Sequence, residues 1–401
     1  MSENISCNEI AKRLLDSCLS GRRWPREWVH SLSADPCSPA LFSIVIEGLS
    51  DRFEPALCDA YAHVFAEALG GDPEETLARY RRVRAPRAYE GDAVAVENVF
   101  VLSRVTLGAD VSVTSVVLDG AKRRFPKARI FLVGSRKNWE LFEEDHRIEH
   151  LPVPYPRSGS FRDRLAPSLA LRDLLAKPSS IVIDPDSRLS QLGLVPVCRE
   201  EDYYFFESRS YGGESEDTLS TLTRRWVAET FGVESAAWIA PKLVALSDSP
   251  FIALSLGVGE NPGKRIADPF EAQLVQGLVD LGMTVVIDKG AGGEETERVE
   301  RLIAGRRVQA WQGAFAPFAS IIARSSLYVG YDSAGQHVAA ASGVPLVTVF
   351  AGFPSPRMFE RWKPSGPGRI EVVRAEVGHH WETALDATLA AVGRARPYVR
   401  S

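Results

Sequence analysis

The stretch YVGYDSAGQHVAAASGVPLVTVFAG, residues 328–352, decides the fold of this chain. It begins with an apolar run, becomes polar at Asp332 and Ser333, continues through small residues, and ends in a second apolar run. Two short apolar runs joined by a helical segment are typical of parallel strands with a crossover helix. The alanines at 339–341 favour a helix that packs closely on the sheet. We therefore expect an α/β fold.

The same alternation recurs along most of the chain. Strands are predicted at residues 94–102, 128–133, 150–153 and 180–183, and again at 250–255, 284–287, 327–330 and 346–350. Residues 1–80 carry apolar residues at helical spacing and no chemical motif. We expect three parts: a helical extension at 1–92, a Rossmann-like domain at 93–245, and a second Rossmann-like domain at 246–401 that ends in a closing helix.

The composition is that of an ordinary globular protein. Apolar residues make up 45% of the 401 residues, charged residues 25%, and the formal net charge is -5. A net negative charge argues against a broad nucleic-acid surface, and no apolar run approaches the roughly 18 residues of a membrane helix. The N-terminus lacks the basic and apolar segments of a signal peptide. We therefore expect a cytoplasmic protein that binds no nucleic acid.

The five cysteines follow no paired spacing, and they are Cys7, Cys18, Cys37, Cys58 and Cys198. An odd, scattered set favours reduced and mostly buried thiols over disulfides or a zinc site. The adjacent histidines at 379 and 380 have no partners at the spacing of metal ligands. We expect neither a disulfide nor a metal site.

The first strand-to-helix turn, at residues 106–114, carries Gly108 and Asp110. Gly108 permits a tight turn because glycine has no Cβ. Asp110 has two interpretations. Its carboxylate caps the following helix, or it faces the cleft between the domains and acts as a general base on an acceptor hydroxyl. The residues of one turn do not decide between these two.

The second such turn, at residues 254–265, is rich in glycine, including Gly257, and ends in Lys264 and Arg265. Exposed backbone amides together with a lysine suit a diphosphate. The spacing matches neither of the common phosphate-loop motifs. A solvated loop is therefore the alternative interpretation of this segment.

The third turn lies within the stretch first quoted. Asp332 and Ser333 end its first strand, and the helix begins near Gly335, so backbone amides and the helix dipole favour an anion there. Ser333 either caps the helix or donates to a phosphate oxygen. Asp332 would repel a phosphate, so we expect it to bind sugar hydroxyls or a neighbouring cation. His337, in the first helical turn, is either a ligand contact or a buried histidine.

Six more polar residues follow strands or lie in loops: Asp184, Arg188, Arg157, Arg162, Glu294 and Glu295. The first two follow the predicted strand at 180–183, where the aspartate either lines the cleft or caps a turn. The next two belong to a basic loop near residue 160, which either meets an anionic acceptor or forms a solvated face. The two glutamates begin a helix, where one of them suits a ribose diol.

Taken together, these turns resemble glycosyltransferase family 9, the ADP-heptose lipopolysaccharide heptosyltransferases and their relatives. The resemblance is carried by a short set of positions: Asp332-Ser333, His337, Ala339-Ala340-Ala341, Gly343-Val344-Pro345, Gly108, Asp110 and Lys264. It spans roughly residues 96–395 and leaves out the N-terminal extension.

The resemblance implies a GT-B fold, in which two doubly wound Rossmann-like domains face a cleft and the final helix crosses back. It implies that 93–245 is the acceptor domain and 246–401 the sugar-nucleotide domain. It implies an inverting, metal-independent transfer of a heptose-like or hexose sugar to a hydroxyl acceptor. The donor would be an ADP-, UDP- or GDP-linked sugar, with no other cofactor, and the acceptor a glycan, a lipid-linked molecule or a protein. Peripheral membrane contact and a protein partner bound through residues 1–92 are further expectations.

The resemblance also implies a role for each residue. Asp110 would deprotonate the acceptor, and Lys264 would neutralise the departing diphosphate. The donor side comprises Ser333, Ala334 and Gly335 for the phosphates, Asp332 for the sugar, Glu294 or Glu295 for the ribose, and also Gly257 and His337. The acceptor side comprises Asp184, Arg188, Arg157 and Arg162.

Two positions depart from the family pattern. Ala334 stands where the family usually has glycine, and Ala109 separates Gly108 from Asp110, which are adjacent in the family. Two other functions stay open. One is a non-catalytic protein that binds a sugar nucleotide or serves as an assembly partner. The other is a GT-B sugar-nucleotide epimerase, for which the sequence offers no further set of acids and bases around the sugar.

Overall fold

The computed structural model describes residues 6–245, 249–259, 261–290, 292–375 and 380–396. Within these ranges the chain forms a helical N-terminal segment followed by two parallel sheets with flanking helices. The predicted boundary at residue 246 lies outside the described residues, and the three-part division of the chain stays a prediction.

The N-terminal segment is helical, as the apolar spacing predicts. Its helices are α1 Cys7–Leu19, α2 Arg26–Ser33, α3 Ser38–Ala40, α4 Glu47–Ser50, α5 Pro55–Leu69 and α6 Pro73–Arg84, with a π-helical turn at Leu41–Ile46. Side-chain caps and prolines set several helix starts. Asp72, for example, accepts from the backbone N–H of Glu74 at 2.9 Å, just before Pro73 begins α6.

The first sheet has the strand order β3-β2-β1-β4-β5, and all of its pairs are parallel. Its elements are β1 Asn98–Leu102, α7 Leu107–Ala109, α8 Ser115–Arg124, β2 Arg129–Gly134, α9 Arg136–Trp139, β3 Ile148–Pro152, α10 Phe161–Leu175, β4 Ser180–Asp184, β5 Tyr203–Phe205 and α11 Leu219–Phe231. A π-helical turn at Asp110–Thr114 joins α7 to α8.

The N-terminal helices cover one face of this first sheet. In β1, Val99 and Val101 point into the core formed with α8 and α11, whereas Phe100 and Leu102 point into the core formed with the N-terminal helices. Successive side chains of a strand point to opposite faces of the sheet, so both faces of the first sheet are buried at β1. This is why Val99–Leu102 is an unbroken apolar run. The helical extension is therefore part of the structure of the first domain.

The second sheet has the strand order β11-β10-β9-β6-β7-β8 and is also parallel. Its elements are β6 Phe251–Ser255, α12 Phe270–Asp280, β7 Thr284–Asp288, α13 Gly293–Ile303, β8 Val308–Trp311, α14 Phe315–Ile322, β9 Leu327–Tyr331, α15 Ala334–Ala341, β10 Leu346–Ala351, α16 Pro356–Trp362, β11 Ile370–Ala375 and α17 Trp381–Ala395. The predicted α/β fold with two Rossmann-like units and a helical extension is confirmed.

Helix α17 stays with the second sheet. Its buried residues Ala384, Ala391, Val392 and Ala395 belong to the core between the sheet and α12. The expectation that the final helix crosses back is therefore wrong for the described part of this helix. Its apolar stripe is instead used to cover β10 and β11.

The prediction of reduced cysteines is wrong for one pair. Cys7 and Cys37 form a disulfide, with their Cα atoms 5.3 Å apart, because the starts of α1 and α3 lie side by side. Cys18 and Cys58 are buried free thiols, as expected. Within the part of the chain that the structure describes, none of the helices combines the length and apolar character needed to span a membrane.

Candidate functional site

A large cavity lies where the two sheets and the N-terminal helices meet. In each sheet the strand order reverses next to the first strand of that sheet, between β1 and β4 and between β6 and β9. Ligands of open α/β sheets bind outside the carboxyl ends of the strands at such points. The cavity has a volume of about 880 Å³ and takes lining residues from all three parts of the chain.

The lining of this cavity is cationic, although the chain as a whole is acidic. The lining cations are Arg52, Arg104, Arg157, Arg164, Arg188, Arg209 and Lys264, and the lining carboxylates among the described residues are Glu47, Asp51 and Asp186. Cations gathered in a concave site raise the local concentration of anions. The cavity therefore suits a ligand that carries phosphate or carboxylate groups.

Lys264 lies at the C-domain side of the cavity. A short 3-10 helix at Pro262–Lys264 holds it, and the Asn261 side chain caps that helix by accepting from the Gly263 N–H at 3.0 Å. The Lys264 ammonium donates to Asp332 Oδ2 at 2.8 Å. Asp332 thus binds a neighbouring cation, which is one of the two contacts expected of it.

The N-terminus of α15 does not open into the cavity. The described lining of the large cavity does not include Ser333, Ala334, Gly335 or His337. The Ser333 side chain makes no capping hydrogen bond. The Gly108 turn covers this end of the helix: a Cβ at Gly108 would lie 3.3 Å from the Ala334 Cα. The predicted phosphate cradle is therefore closed in this arrangement of the domains.

Gly335 has a packing reason to be glycine. A Cβ at this position would collide with the hydroxyl end of Tyr328, whose ring lies beneath the start of α15. His337 is buried, and its ring lies 5.6 Å from that of Trp362. Burial, with a smaller effect of Lys264, lowers the pKa of His337 to about 3. These features fit the interpretation of His337 as a buried, neutral histidine.

Asp110 does not face the cavity, which corrects the prediction of a base at this position. Its side chain is fully buried. The Oδ1 atom accepts from the Arg104 N–H at 2.8 Å and the Thr114 hydroxyl at 2.6 Å, and Oδ2 accepts from the Ser103 hydroxyl at 2.6 Å and the Asn138 amide at 2.5 Å. Burial raises the pKa of Asp110, and these hydrogen bonds oppose that effect.

A π-helical turn begins at Asp110. Gly108 and Ala109 belong to α7, and the π-helical turn runs from Asp110 to Thr114. Ala109 lines the cavity, whereas the adjacent Asp110 carboxylate points into the domain.

Asp184 is likewise a structural residue, contrary to its predicted place on the acceptor side. It is fully buried, and it accepts from the Ser187 N–H at 2.7 Å, from the Tyr203 hydroxyl at 2.6 Å and from the Ser190 hydroxyl. Burial raises its pKa to about 6. It therefore holds the loop after β4 in place.

The loop that Asp184 holds presents two polar residues to the cavity, Asp186 and Arg188. Asp186 is buried and forms an ion pair with the buried Arg209 at 3.0 Å. Arg188 donates to the Ser50 hydroxyl of the N-terminal segment at 2.8 Å. The prediction placed Arg188 on the acceptor side, and the structure brings it to the cavity wall.

The basic loop near residue 160 divides between the cavity and the surface. Arg157 lines the cavity, whereas Arg162 is exposed and does not belong to its described lining. Arg164, and not Arg162, lines the cavity. Its guanidinium lies 4.1 Å above the Phe42 ring and also donates to the Arg157 carbonyl. Arg162 is therefore corrected to a surface residue.

A second, smaller cavity of about 430 Å³ adjoins the first. Glu294 and Glu295 line it, and Val258 lines both cavities. The Glu295 carboxylate lies against Gly257, where a Cβ would come within 2.5 Å of Oε1. The structure thus brings together Gly257 and the two glutamates that the sequence predicted.

The N-terminal segment adds residues that the sequence did not indicate. Asp51, Arg52 and Phe53, which follow α4, line the large cavity. Phe53 has a left-handed backbone conformation with a φ of 59°, and its ring packs edge-on against Trp362 at 5.9 Å. No motif marks these residues, because they reach the cavity only through the packing of the helices on the first sheet.

The fold and the position of the cleft define the class of protein. Two Rossmann-like units with a ligand cleft between them form the GT-B arrangement. Among the described residues, there is no group of three or more His, Cys, Asp or Glu side chains that could hold a metal ion.

The C-terminal part of the chain matches one family model. Residues 246–378 match the model of glycosyltransferase family 9 (heptosyltransferase). No curated protein matches the chain by sequence.

Solved structures with a similar fold include a family 9 glycosyl transferase from Veillonella parvula DSM 2008, at 19% identity over 70% of this chain and 86% of that chain, with a TM-score of 0.50. The E. coli heptosyltransferase WaaC, solved with ADP, is 18% identical over 74% of this chain and 98% of its own, with a TM-score of 0.53. The E. coli ADP-heptose lps heptosyltransferase II is 16% identical over 74% and 99%, with a TM-score of 0.50.

Proposed function

We propose that the chain transfers a sugar from a nucleoside diphosphate sugar to an acceptor hydroxyl, with inversion at the anomeric carbon and without a metal. The observation that carries the proposal is the position of Lys264. It lies in the family 9 domain, at the C-domain side of a cationic cavity between the two domains. A fixed cation there would stabilise the negative charge that develops on a departing diphosphate.

We place the donor across the two adjoining cavities. The nucleoside occupies the smaller one, where Glu294 or Glu295 accepts from the ribose hydroxyls, and the diphosphate lies along the loop from Gly257 to Lys264. Asp332, which already holds Lys264, contacts the sugar. Ser333 and the amides of α15 contact the phosphates only after the Gly108 turn has moved away, so these contacts require the domains to separate.

The acceptor enters the large cavity from the side of the first domain. Arg157 and Arg188 line that side, and they suit an acceptor that carries an anionic group. An acceptor bound there would place its hydroxyl opposite the donor, and binding of both substrates in one cleft would align the reacting groups. A glycan, a lipid-linked molecule or a protein meets this description.

The test is a panel of nucleotide sugars. ADP-heptose leads the panel, because the ligand of one similar structure is an ADP-linked heptose analogue, and UDP- and GDP-linked hexoses complete it. We expect one of them to raise the melting temperature and to release its nucleoside diphosphate in the presence of EDTA. NMR of the released sugar reports inversion. A purified, folded chain that neither binds nor cleaves any member would contradict the proposal.

One observation favours a second candidate, a non-catalytic protein that binds a sugar nucleotide. Ala109 faces the cavity at the turn where the predicted base was expected, and Asp110 is locked inside the domain. Binding of a nucleotide sugar without release of its diphosphate would favour this candidate. The same panel detects an epimerase, which would change the sugar and leave the diphosphate attached.

A further inference from the structure

The first domain contributes no accessible aspartate from its strand ends. Both oxygens of Asp110 and both oxygens of Asp184 accept hydrogen bonds from neighbouring groups inside the domain. Asp186 reaches the cavity lining, but its Oδ2 accepts from Arg209 at 3.0 Å and from Ser208 at 2.8 Å. The Asp186 side chain is also almost fully buried, so we expect the base of the acceptor in another part of the wall.

Asp51 is the carboxylate best placed for that task. It follows α4, and its backbone N–H donates to the Glu47 carbonyl at 3.0 Å, which closes the last turn of the helix. Its side chain is exposed to the cavity, with Arg188 and Lys264 as its main charged neighbours. It therefore lies between the proposed diphosphate cation and the acceptor side.

Contacts with both domains fix the turn that carries Asp51. On one side, Ser50 accepts from Arg188 of the first domain at 2.8 Å. On the other side, the carbonyl of residue 52 accepts from the Ser355 hydroxyl at 2.9 Å, and the Phe53 carbonyl accepts from Arg357. These hydrogen bonds fix the position of the turn relative to the donor side and the acceptor side of the cavity.

The surroundings of Asp51 also suit proton transfer. Burial within the cavity wall raises the pKa of the Asp51 carboxyl, while Arg188 and Lys264 oppose the effect. General bases work best when their pKa lies closer to the operating pH than that of an ordinary carboxylate.

We propose that Asp51, supplied by the N-terminal helical segment, is the general base of the transfer in place of Asp110; this rests on the proposed function of the cleft. The carboxylate takes the proton of the acceptor hydroxyl. The acceptor oxygen forms the new bond to the anomeric carbon, while the bond from that carbon to the diphosphate oxygen breaks. The electron pair of that bond goes to the diphosphate beside Lys264.

The test compares Asp51→Asn with Asp16→Asn, a matched change at an exposed position on α1. The probe is the nucleotide sugar that the wild-type chain cleaves fastest, with water as the acceptor and release of nucleoside diphosphate as the readout. Loss of a general base costs about 100-fold or more in rate, so we expect that fall in kcat for Asp51→Asn only. The nucleoside diphosphate should still raise its melting temperature as in the wild type.

Sodium azide separates a base from a structural residue, because azide attacks the anomeric carbon without losing a proton. We expect azide to restore cleavage by Asp51→Asn and to yield a glycosyl azide. A kcat within twofold of the wild-type value would overturn the role of Asp51, and so would a loss of turnover that azide leaves unrestored. Failure of the wild type to cleave any nucleotide sugar would instead contradict the proposed function.

Discussion

Two carboxylates that follow strands of the first sheet are buried, whereas several polar residues that follow strands of the second sheet line cavities. In the first sheet, Asp110 and Asp184 turn inward and bind groups of their own domain. In the second sheet, Lys264 and Glu295 line cavities, and Asp288 at the end of β7 has its pKa raised to about 6 by burial. Residues that follow strands in two similar folds thus form hydrogen bonds inside one domain and line cavities in the other.

The difference shows what the N-terminal helical segment adds. A first domain that buries its own carboxylates leaves its side of the cleft without an accessible strand-end acid, and residues 50–53 fill that place. The same helices cover one face of the first sheet. One appended segment therefore completes both the core and the cavity, and the comparison of the two sheets can be tested residue by residue.

The largest effect is expected at Lys264. Removal of a preorganised group that stabilises developing charge costs about 10² to 10³ in kcat, so Lys264→Ala should reduce release of nucleoside diphosphate by that factor. Lys264→Arg keeps the positive charge and should retain more of the activity. The rate is measured at saturating donor.

Lys127→Ala, at an exposed lysine of the first domain, is the matched control and should leave the rate unchanged. Because Lys264→Ala also leaves Asp332 without its ion pair, the rate is compared per folded molecule, as determined by circular dichroism. Equal rates for wild type and Lys264→Ala would contradict the proposal that Lys264 stabilises the departing diphosphate.

Asp110→Asn should act on stability, in contrast to Lys264→Ala. Four donors converge on the carboxylate, and an amide in its place turns an acceptor into a donor that faces them. Buried groups left without partners cost roughly 1–3 kcal/mol each, so we expect the free energy of unfolding to fall by about 3 kcal/mol. Chemical denaturation measures this change.

The turnover of folded Asp110→Asn should stay within tenfold of the wild-type value. Asp173→Asn, at an exposed aspartate of α10, is the control and should change neither quantity. A variant that folds as stably as the wild type yet loses about 100-fold in rate would return the role of base to Asp110.

The sequence predicted all of the central strands and one edge strand, β3, and missed the other three edge strands. The eight predicted strands correspond to β1–β4, β6, β7, β9 and β10, whereas β5, β8 and β11 lie at the edges of their sheets. Central strands of parallel sheets are apolar throughout. The edge strand β8 is only partly buried, and β5 has three residues, so neither carries a clear apolar run.

The candidate site was predicted in part for a similar reason. Lys264 and Asp332 both follow apolar strands, and residues at the ends of neighbouring strands meet. The direction of the Asp110 side chain depends on a π-helical turn, which the spacing alone does not reveal. Asp51 reaches the cavity through the packing of helices that carry no motif. It follows a helix and not one of the predicted strands.

The smallest expected effect concerns the contact between the two domains at Gly108. A methyl group there would lie 3.3 Å from both the Ala334 Cα and the His337 ring, so Gly108→Ala should press the first domain away from α15. Overpacking costs about 1–3 kcal/mol, while alanine in a helical turn gains roughly 0.5–1 kcal/mol over glycine. We expect a net loss of about 1 kcal/mol in unfolding free energy.

Gly393→Ala provides the matched control for this substitution. It also lies in a helix, α17, but a Cβ at this position meets nothing within 4 Å. It should therefore gain the roughly 0.5–1 kcal/mol of helix propensity without any clash. The difference between the two variants isolates the contact of the Gly108 turn with α15. If both variants raise the free energy of unfolding equally, the Gly108 turn can move away from α15 without a measurable loss of stability. The N-terminus of α15 would then become accessible at little energetic cost.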